Sequence, residues 1–465
     1  MHDSAAPAGP AGIGPAGIGR DDYSLGRVPG QARYSWRVMA VQRLAQLSTP
    51  TQLLIGATLG VGMSFGRAVL AITLGSVILE AVIIVTGMIG VREGLSTTLL
   101  ARWTGFGSGG SALVGLVIGV TSAGWFGVQD SFFARSLASI VGGPPLWAWC
   151  LAGGALVTVI VVRGFALMSR VAFVTVPGFL LLVAYTVFRA LHGHPVSQLV
   201  ASAPHGPALT LGAGATVVAG GFIVGAILTP DMTRFNRSGK DVVKQTAVGV
   251  TIGEYVICLT GVLLARAAKT SQIVAIVVRA SGVAGAIIIV TAVVTVNVWN
   301  LYPASLATVN AVDALLPGRR PSRTAVAIVM GTAGSILSAA GIINKFETFL
   351  TVIGVVVPPI AGIMIAEYFV VRTWRVRLDA SRRRGELPDR PPRWVPASLV
   401  VWVVSAAGGY WVHIGVPAMN SVLLAFLLYT AAGKLGLTRG YSRTAGQAQQ
   451  QLPAPLRVAD AEEDT

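Results

Sequence analysis

Apolar runs of roughly twenty residues, the length at which a helix crosses the hydrocarbon core of a bilayer, recur along this chain from residue 38 to residue 436. In lipid the backbone must satisfy its own polar groups, which leaves helices or a closed barrel as spanning structures. The runs are continuous rather than alternating, so they predict helices. Only 12% of the residues are charged, against roughly 25% in a soluble domain. The sequence predicts an all-α polytopic membrane protein.

Twelve transmembrane helices are expected, over 38 to 64, 68 to 91, 110 to 138, 145 to 163, 168 to 191, 208 to 229, 242 to 266, 281 to 303, 322 to 341, 346 to 371, 395 to 413 and 416 to 436. Inner loops of membrane proteins are enriched in Lys and Arg. With the N-terminus inside, 28 of the 35 Lys and Arg fall on the inner side of this arrangement. Both termini are therefore expected in the cytoplasm and the chain in the cytoplasmic membrane. Residues 1 to 37 and 437 to 465 read as disordered tails, the first rich in Gly, Ala and Pro, the second in Gln with an acidic end.

The net charge of +16 raises nucleic acid or anionic lipid as partners. The basic residues sit in loops between apolar runs, with no aromatic-interleaved patch on a soluble domain, which excludes nucleic acid and leaves membrane lipid. No protein partner is indicated. Cys150 and Cys258 lie in apolar helices and suggest neither a disulfide framework nor a thiolate metal site. The histidines, including the loop pair His192 and His194 and a lone His413, lack ligand-spaced neighbours. No cofactor is expected, and the absence of a nucleophile, base or metal dyad in the membrane argues against an enzyme.

Breaks in a membrane helix are tolerated where protein or a watered cavity satisfies the freed backbone. The first span contains the polar stretch Leu47-Ser48-Thr49-Pro50-Thr51-Gln52. Five spans later the sixth contains Ala219-Gly220-Gly221-Phe222 and ends at Thr229-Pro230-Asp231. Interrupted helices at corresponding places in two halves mark a five-plus-five inverted repeat with its site at mid-membrane. The repeats run over 38 to 191 and 208 to 371, with spans 1 and 6 discontinuous and spans 11 and 12 accessory, over 395 to 436. The alternative for the glycines is close helix packing.

In the third span Trp125 and Gln129 stand one turn apart on one face. That pairs a stacking surface with an amide that both donates and accepts, as recognition of a flat heterocycle requires. The neighbouring Gly124 and Gly127 leave room beside the ring. In the eighth span Asn297 and Asn300 share a face and can complete a polar site. Thr291 and Thr295 also share a face. Their hydroxyls, with carbonyls freed at Ser48 and Thr49 beside Pro50, could hold a small hard cation. Interhelical hydrogen bonding is the competing role for these threonines. Glu80, Asp130 and Glu254 are ionisable groups inside spans, where such groups are costly and by default functional. Each is a candidate for proton coupling, with an Asp130–Arg135 ion pair as the alternative for Asp130.

Read in order, Gly56-Ala57-Thr58-Leu59-Gly60, Gly90-Val91 with Thr97, Leu100 and Arg102, Gly124-Trp125-Phe126-Gly127-Val128-Gln129, Asp231-Met232-Thr233-Arg234-Phe235, Asn300-Leu301-Tyr302 and Pro358-Pro359 with Ala366-Glu367-Tyr368 form a pattern. Through the first ten spans the chain resembles the cytosine and purine permeases, nucleobase–cation symporters that include hydantoin and allantoin carriers. The resemblance implies that Trp125 and Phe222 sandwich the heterocycle. It also implies that Gln129, the Gly221 backbone, and Asn297 or Asn300 bond its edge. In sodium-coupled members, carbonyls of the first span and adjacent hydroxyls of the eighth hold the ion; here Thr295 is followed by Val296. Near the asparagines of the eighth span the cytosine-permease pattern is typically rich in Asn and Asp, whereas this chain has Val298 and Trp299.

The expected function is cation-coupled uptake of a nucleobase or related planar heterocycle by alternating access, with sodium or a proton as coupling ion. The alternative is a carrier of amino acids or amines on the same scaffold. A channel is disfavoured because the polar residues cluster at one depth instead of lining a path.

Overall fold

A computed structural model of the chain describes residues 23, 26–163, 177–189, 192, 195–316, 321–412 and 414–440. Most of both tails, the start of the fifth expected span, His194 and His413 lie outside these residues. Among the described residues the structure is helical, with one isolated bridge between Tyr34 and Asn236.

The first expected span is two helices, α1 (Trp36–Leu47) and α2 (Pro50–Gly62). Thr49 is extended, its hydroxyl accepts from the Gln52 amide, and Pro50 opens α2 with the fixed φ a first helical turn favours. α3 (Phe65–Glu93) ends at Gly94, whose φ of +63° suits a residue without Cβ. The short α4 (Thr97–Ala101) turns through Gly105 into α5 (Gly107–Val141), followed by α6 (Leu146–Arg163) and α7 (Pro177–Arg189). After α8 (Val196–Ala201) come α9 (Leu211–Ile227) and α10 (Thr229–Thr233). α11 (Gly239–Thr246) reaches α12 (Cys258–Ala268) through two π-helical turns, Ala247–Thr251 and Gly253–Ile257.

α13 (Ile273–Leu315) bends at Gly282, and α14 (Arg323–Ala339) follows. α15 (Phe346–Val356) and α16 (Pro358–Ala366) meet at Val357, with the Pro358-Pro359 pair opening α16, and α17 (Arg375–Arg384), α18 (Pro396–Trp411) and α19 (Pro417–Lys434) follow. By length and composition, six helical runs among the described residues suffice to cross a membrane: Phe65–Glu93, Thr97–Val141, Leu146–Arg163, Gly239–Ala268, Ile273–Val309 and Ile342–Val371.

Two packed groups position the interior. α5, α6, α13 and α14 pack on one another; α2 pairs with α12, α3 with α9, and α15 with α9, while α18 and α19 cover α15 and α16. Glycine sets the closest approaches. A Cβ on Gly56 would lie 1.9 Å from the Cys258 carbonyl oxygen, and one on Gly261 2.2 Å from that of Leu53. Small residues thus let α2 and α12 touch backbone to backbone.

Two expectations change. The sixth span is not interrupted at Gly220-Gly221: α9 runs continuously through both, and the helix breaks at Leu228, before Pro230. The glycines serve packing instead, since a Cβ on Gly220 would lie 2.4 Å from the Leu350 carbonyl oxygen. Part of the N-terminal tail is also ordered. Arg27 pairs with the buried Glu93 carboxylate at 3.0 Å, and the Tyr34 amide donates to the Phe235 carbonyl at 2.7 Å. A buried carboxylate needs cationic and hydrogen-bonding partners, and Arg27 meets that need together with Arg382 (2.7 Å) and the Tyr368 hydroxyl (2.5 Å).

Candidate substrate site

The break between α1 and α2 carries a run of polar side chains into an apolar interior. Ser48, Thr49, Thr51 and Gln52 are all buried. The close α2–α12 crossing brings Gln52 against Glu254, which is 0% exposed; the Gln52 Nε2 donates to Glu254 Oε1 at 2.8 Å. The Cys258 thiol, one turn on, lies 3.5 Å from the other carboxylate oxygen. Gln52 was not singled out from the sequence, although it lies in the polar Pro-bearing stretch that marks the break.

α5 supplies the expected stacking and amide pair. Trp125 is nearly buried and packs edge-on against Phe349, at 5.5 Å and 79° between rings, and against Phe346 at 6.3 Å and 78°. Gly124 admits the Phe349 ring, and Gly127 faces the Gly334 carbonyl of α14; their room is taken by neighbours, not left beside Trp125. Gln129, one turn on, donates from Nε2 to the Thr51 hydroxyl at 2.9 Å, and Thr51 shares a hydrogen bond of 2.7 Å with Thr49. α5 is thereby tied to the first residues of α2.

Both amides leave an oxygen without a protein partner: Gln52 Oε1 and Gln129 Oε1 are buried and accept from no side chain or backbone group. A buried carbonyl left unpaired costs about 1–3 kcal/mol, so both amides are placed to hydrogen-bond the polar edge of a ligand. Gln52 Oε1 lies 3.5 Å from where a Cβ on Gly221 would stand, which places the α9 backbone at Gly221 beside it.

Phe222, half-buried, lies under the guanidinium of Arg43, 5.5 Å from ring centre to Cζ. Arg43 counted in the sequence among the topogenic basic residues; the structure buries it to 1% exposure and gives it the Thr229 hydroxyl (3.3 Å) and Gln46 Oε1 (3.4 Å) as acceptors. Asn297 is also buried. Its Nδ2 donates to the Phe126 carbonyl at 3.1 Å and its oxygen accepts from Asn300 at 3.1 Å, so it fastens α13 to α5 beside Trp125.

The hydroxyls expected at a cation donate within their own helices: Ser48 to Leu44 O (2.8 Å), Thr291 to Ile288 O and Thr295 to Thr291 O (both 3.0 Å). Thr49 bonds Thr51. Of the acidic candidates, Glu254 adjoins the site. Glu80 is engaged by the Thr251 hydroxyl. Asp130 points the other way, against Gly153 of α6 and Ser338 of α14. The Asp130–Arg135 pair does not form; Arg135 donates to Asn344 at 3.1 Å, and the five-residue spacing turns the two side chains to different faces of α5.

The family described as permeases for cytosine/purines, uracil, thiamine and allantoin matches residues 36–436. The cytosine permease of Escherichia coli (strain K12) is 28% identical over 415 residues, covering 88% of this chain and 93% of its own length. The hydantoin permease of Microbacterium maritypicum is 25% identical over 403 residues, covering 79% and 82%. In fold, the chain is similar to the inward-facing conformation of Mhp1, at TM-score 0.75 and 17% identity over 93% of this chain and 97% of that one. It is also similar to Mhp1, a nucleobase-cation-symport-1 family transporter, closed with bromovinylhydantoin bound, at TM-score 0.70 and 19% identity over 89% and 95%. A match over this much of the chain, with the fold of a symporter beneath it, has one reading: the chain belongs to the cytosine and purine permease family, and it is a membrane transporter, not an enzyme.

Proposed function

We propose that this protein carries a planar oxo-heterocycle, a nucleobase or cyclic ureide, across the cytoplasmic membrane by alternating access, driven by a cation gradient. The observation that carries the reading is the pair of buried, partnerless amide oxygens on Gln52 and Gln129, the second one helical turn from Trp125. Trp125 and Phe222 stack the ring from opposite sides. Gln129, Gln52 and the Gly221 backbone bond its edge, with Asn297 and Asn300 closing the site from α13. Relatives named as cytosine and hydantoin permeases favour a heterocycle over an amino acid or amine.

The chain crosses the membrane twelve times with both termini in the cytoplasm, as its basic loops indicate. α2 pairs with α12 and α3 with α9, which is spans 1 with 7 and 2 with 6; exchanging two five-span halves turns one pair into the other. That relation supports an inverted repeat over 38 to 191 and 208 to 371. The coupling cation is sodium, held by Thr291 and Thr295 with carbonyls at Ser48 and Thr49, or a proton. Membrane lipid is the surrounding partner.

Uptake of radiolabelled cytosine into proteoliposomes tests this, with sodium and proton gradients imposed separately and uracil, hypoxanthine, allantoin, hydantoin and thiamine as competitors. Competition by a flat heterocycle with one gradient required supports the proposal. Accumulation that ignores every heterocycle and both gradients overturns it.

A further inference from the structure

Glu254 is a carboxyl group with no exposure, and its hydrogen-bond partners are an amide and a thiol. The elements packed against its π-helical turn are α1, α2, α3, α12 and the preceding turn. From α1 comes Arg43, whose two terminal nitrogens reach Gln46 and Thr229 while its Nε has no partner, and which makes no ion pair with Glu254. From α2 comes Gln52. From α3 comes Glu80, a second carboxylate within electrostatic reach that accepts from Thr251 of the preceding turn. On its own helix Tyr255 is bonded to Thr73, and at the far end of α12 Arg266 is held by the Met63 and Ser202 carbonyls. Among the described residues the surroundings hold a second acid and no cation ion-paired with Glu254, so an ionised Glu254 is costly there.

Gln52 joins this acid to the candidate site. An ionised carboxylate only accepts, so it holds the amide with its NH2 toward Glu254 and its oxygen toward Gly221, the arrangement observed. A protonated carboxyl donates. Its O–H can bond Gln52 Oε1, the amide turns over, and its NH2 then faces the site while Gln129 Oε1 still accepts. A donor beside an acceptor is the complement of a ring N–H next to a ring C=O, the edge shared by lactams and cyclic ureides. With Glu254 ionised, both amides present oxygens and that edge meets one mismatch.

We infer that Glu254 is the proton-binding site of the transport cycle and that Gln52 transmits its protonation to the substrate, so that an oxo-heterocycle and a proton bind together. This rests on the proposed substrate class. No bond other than O–H is made or broken: one proton joins one carboxylate as the substrate enters and leaves with it.

The test uses the purified full chain in nanodiscs and, from the panel cytosine, uracil, hypoxanthine, allantoin and hydantoin, the compound that wild type binds most tightly. Its Kd is measured between about pH 5 and pH 9, with and without sodium, together with proton uptake in weakly buffered solution. The expected result is a wild-type Kd that rises up to tenfold per pH unit at the alkaline end, with uptake of one proton per substrate bound. Glu254→Gln binds with no pH slope and no proton uptake, Glu254→Asp keeps a slope, and Gln52→Leu binds weakly with its slope lost. A wild type that takes up no proton, or a Glu254→Gln protein that keeps the wild-type slope, overturns the inference while heterocycle binding stands. If Glu254→Gln does not fold, the wild-type proton count decides. A wild type that binds no heterocycle at any pH removes the substrate reading and the inference with it.

Discussion

The Gln129 amide donates to the Thr51 hydroxyl across 2.9 Å, joining α5 to the start of α2. This bond uses one N–H of Gln129, and its oxygen has no protein partner. Gln129→Ala removes both functions and is expected to weaken heterocycle binding about tenfold to a hundredfold, from about 1–3 kcal/mol. Thr51→Val keeps the shape and removes the bonds to Gln129 and Thr49 while leaving the Gln129 oxygen in place, so the loss should be smaller. Isothermal titration of the two variants measures both; equal losses would contradict the separate roles.

Phe349 meets the Trp125 ring edge-on, and Gly124 provides the space for it. An aromatic pair of this kind contributes about 0.5–1.5 kcal/mol beyond burial. Phe349→Ala should therefore free the Trp125 ring and weaken binding several-fold without changing which compounds compete. Competition assays on the variant check this, and a changed rank order of competitors would place Phe349 in direct contact with the ligand.

Gly56 sets the crossing on which Gln52 and Glu254 meet, with the Cys258 carbonyl 1.9 Å from the place of a Cβ. Gly56→Val forces the helices apart and is expected to destabilise the protein by about 1–3 kcal/mol, the usual result of overpacking. Thermal unfolding in detergent reads the loss as a lower Tm. Substrate protection against unfolding should fade in the same variant, because the Gln52–Glu254 contact opens with the crossing.

At one end of the helices Glu93 holds Arg27, Arg382 and Tyr368 together. Removing one partner of a buried ion pair costs about 3–5 kcal/mol, so Glu93→Gln should release the segment around Arg27, read as faster amide exchange over residues 26 to 34. Arg382 also binds Asp379 at 2.7 Å. Burial alone would raise the Asp379 carboxyl, but Arg382, Arg375 and Arg92 hold it below the usual carboxylate range. Its contribution is therefore complete above the ordinary aspartate value of about 3.9 and is lost as pH falls through the lower folded value. Protection of the segment should accordingly persist at neutral pH and fall in strong acid.

Much of this was legible in the sequence because a membrane restricts the choices. The apolar runs gave helices, Pro50 gave the break in the first span, and the spacing of Trp125 and Gln129 gave a shared face. Gly220 and Gly221 misled, since a glycine pair permits either a broken helix or a close crossing, and only the neighbouring Leu350 carbonyl distinguishes them. Arg43 looked topogenic because charge position along a sequence does not report depth. Gln52 was hidden for a different reason: its importance comes from Glu254, about two hundred residues away, through a crossing that glycines on both helices make close.

The most direct test of the central claim is a binding titration of wild type and Trp125→Ala with the heterocycle panel, read by equilibrium dialysis of radiolabelled ligand. The account predicts saturable binding of an oxo-heterocycle to wild type, weakened about tenfold or more in Trp125→Ala, in line with about 1–3 kcal/mol for stacking a base on an aromatic ring. Wild-type affinity retained in a folded Trp125→Ala protein would contradict it.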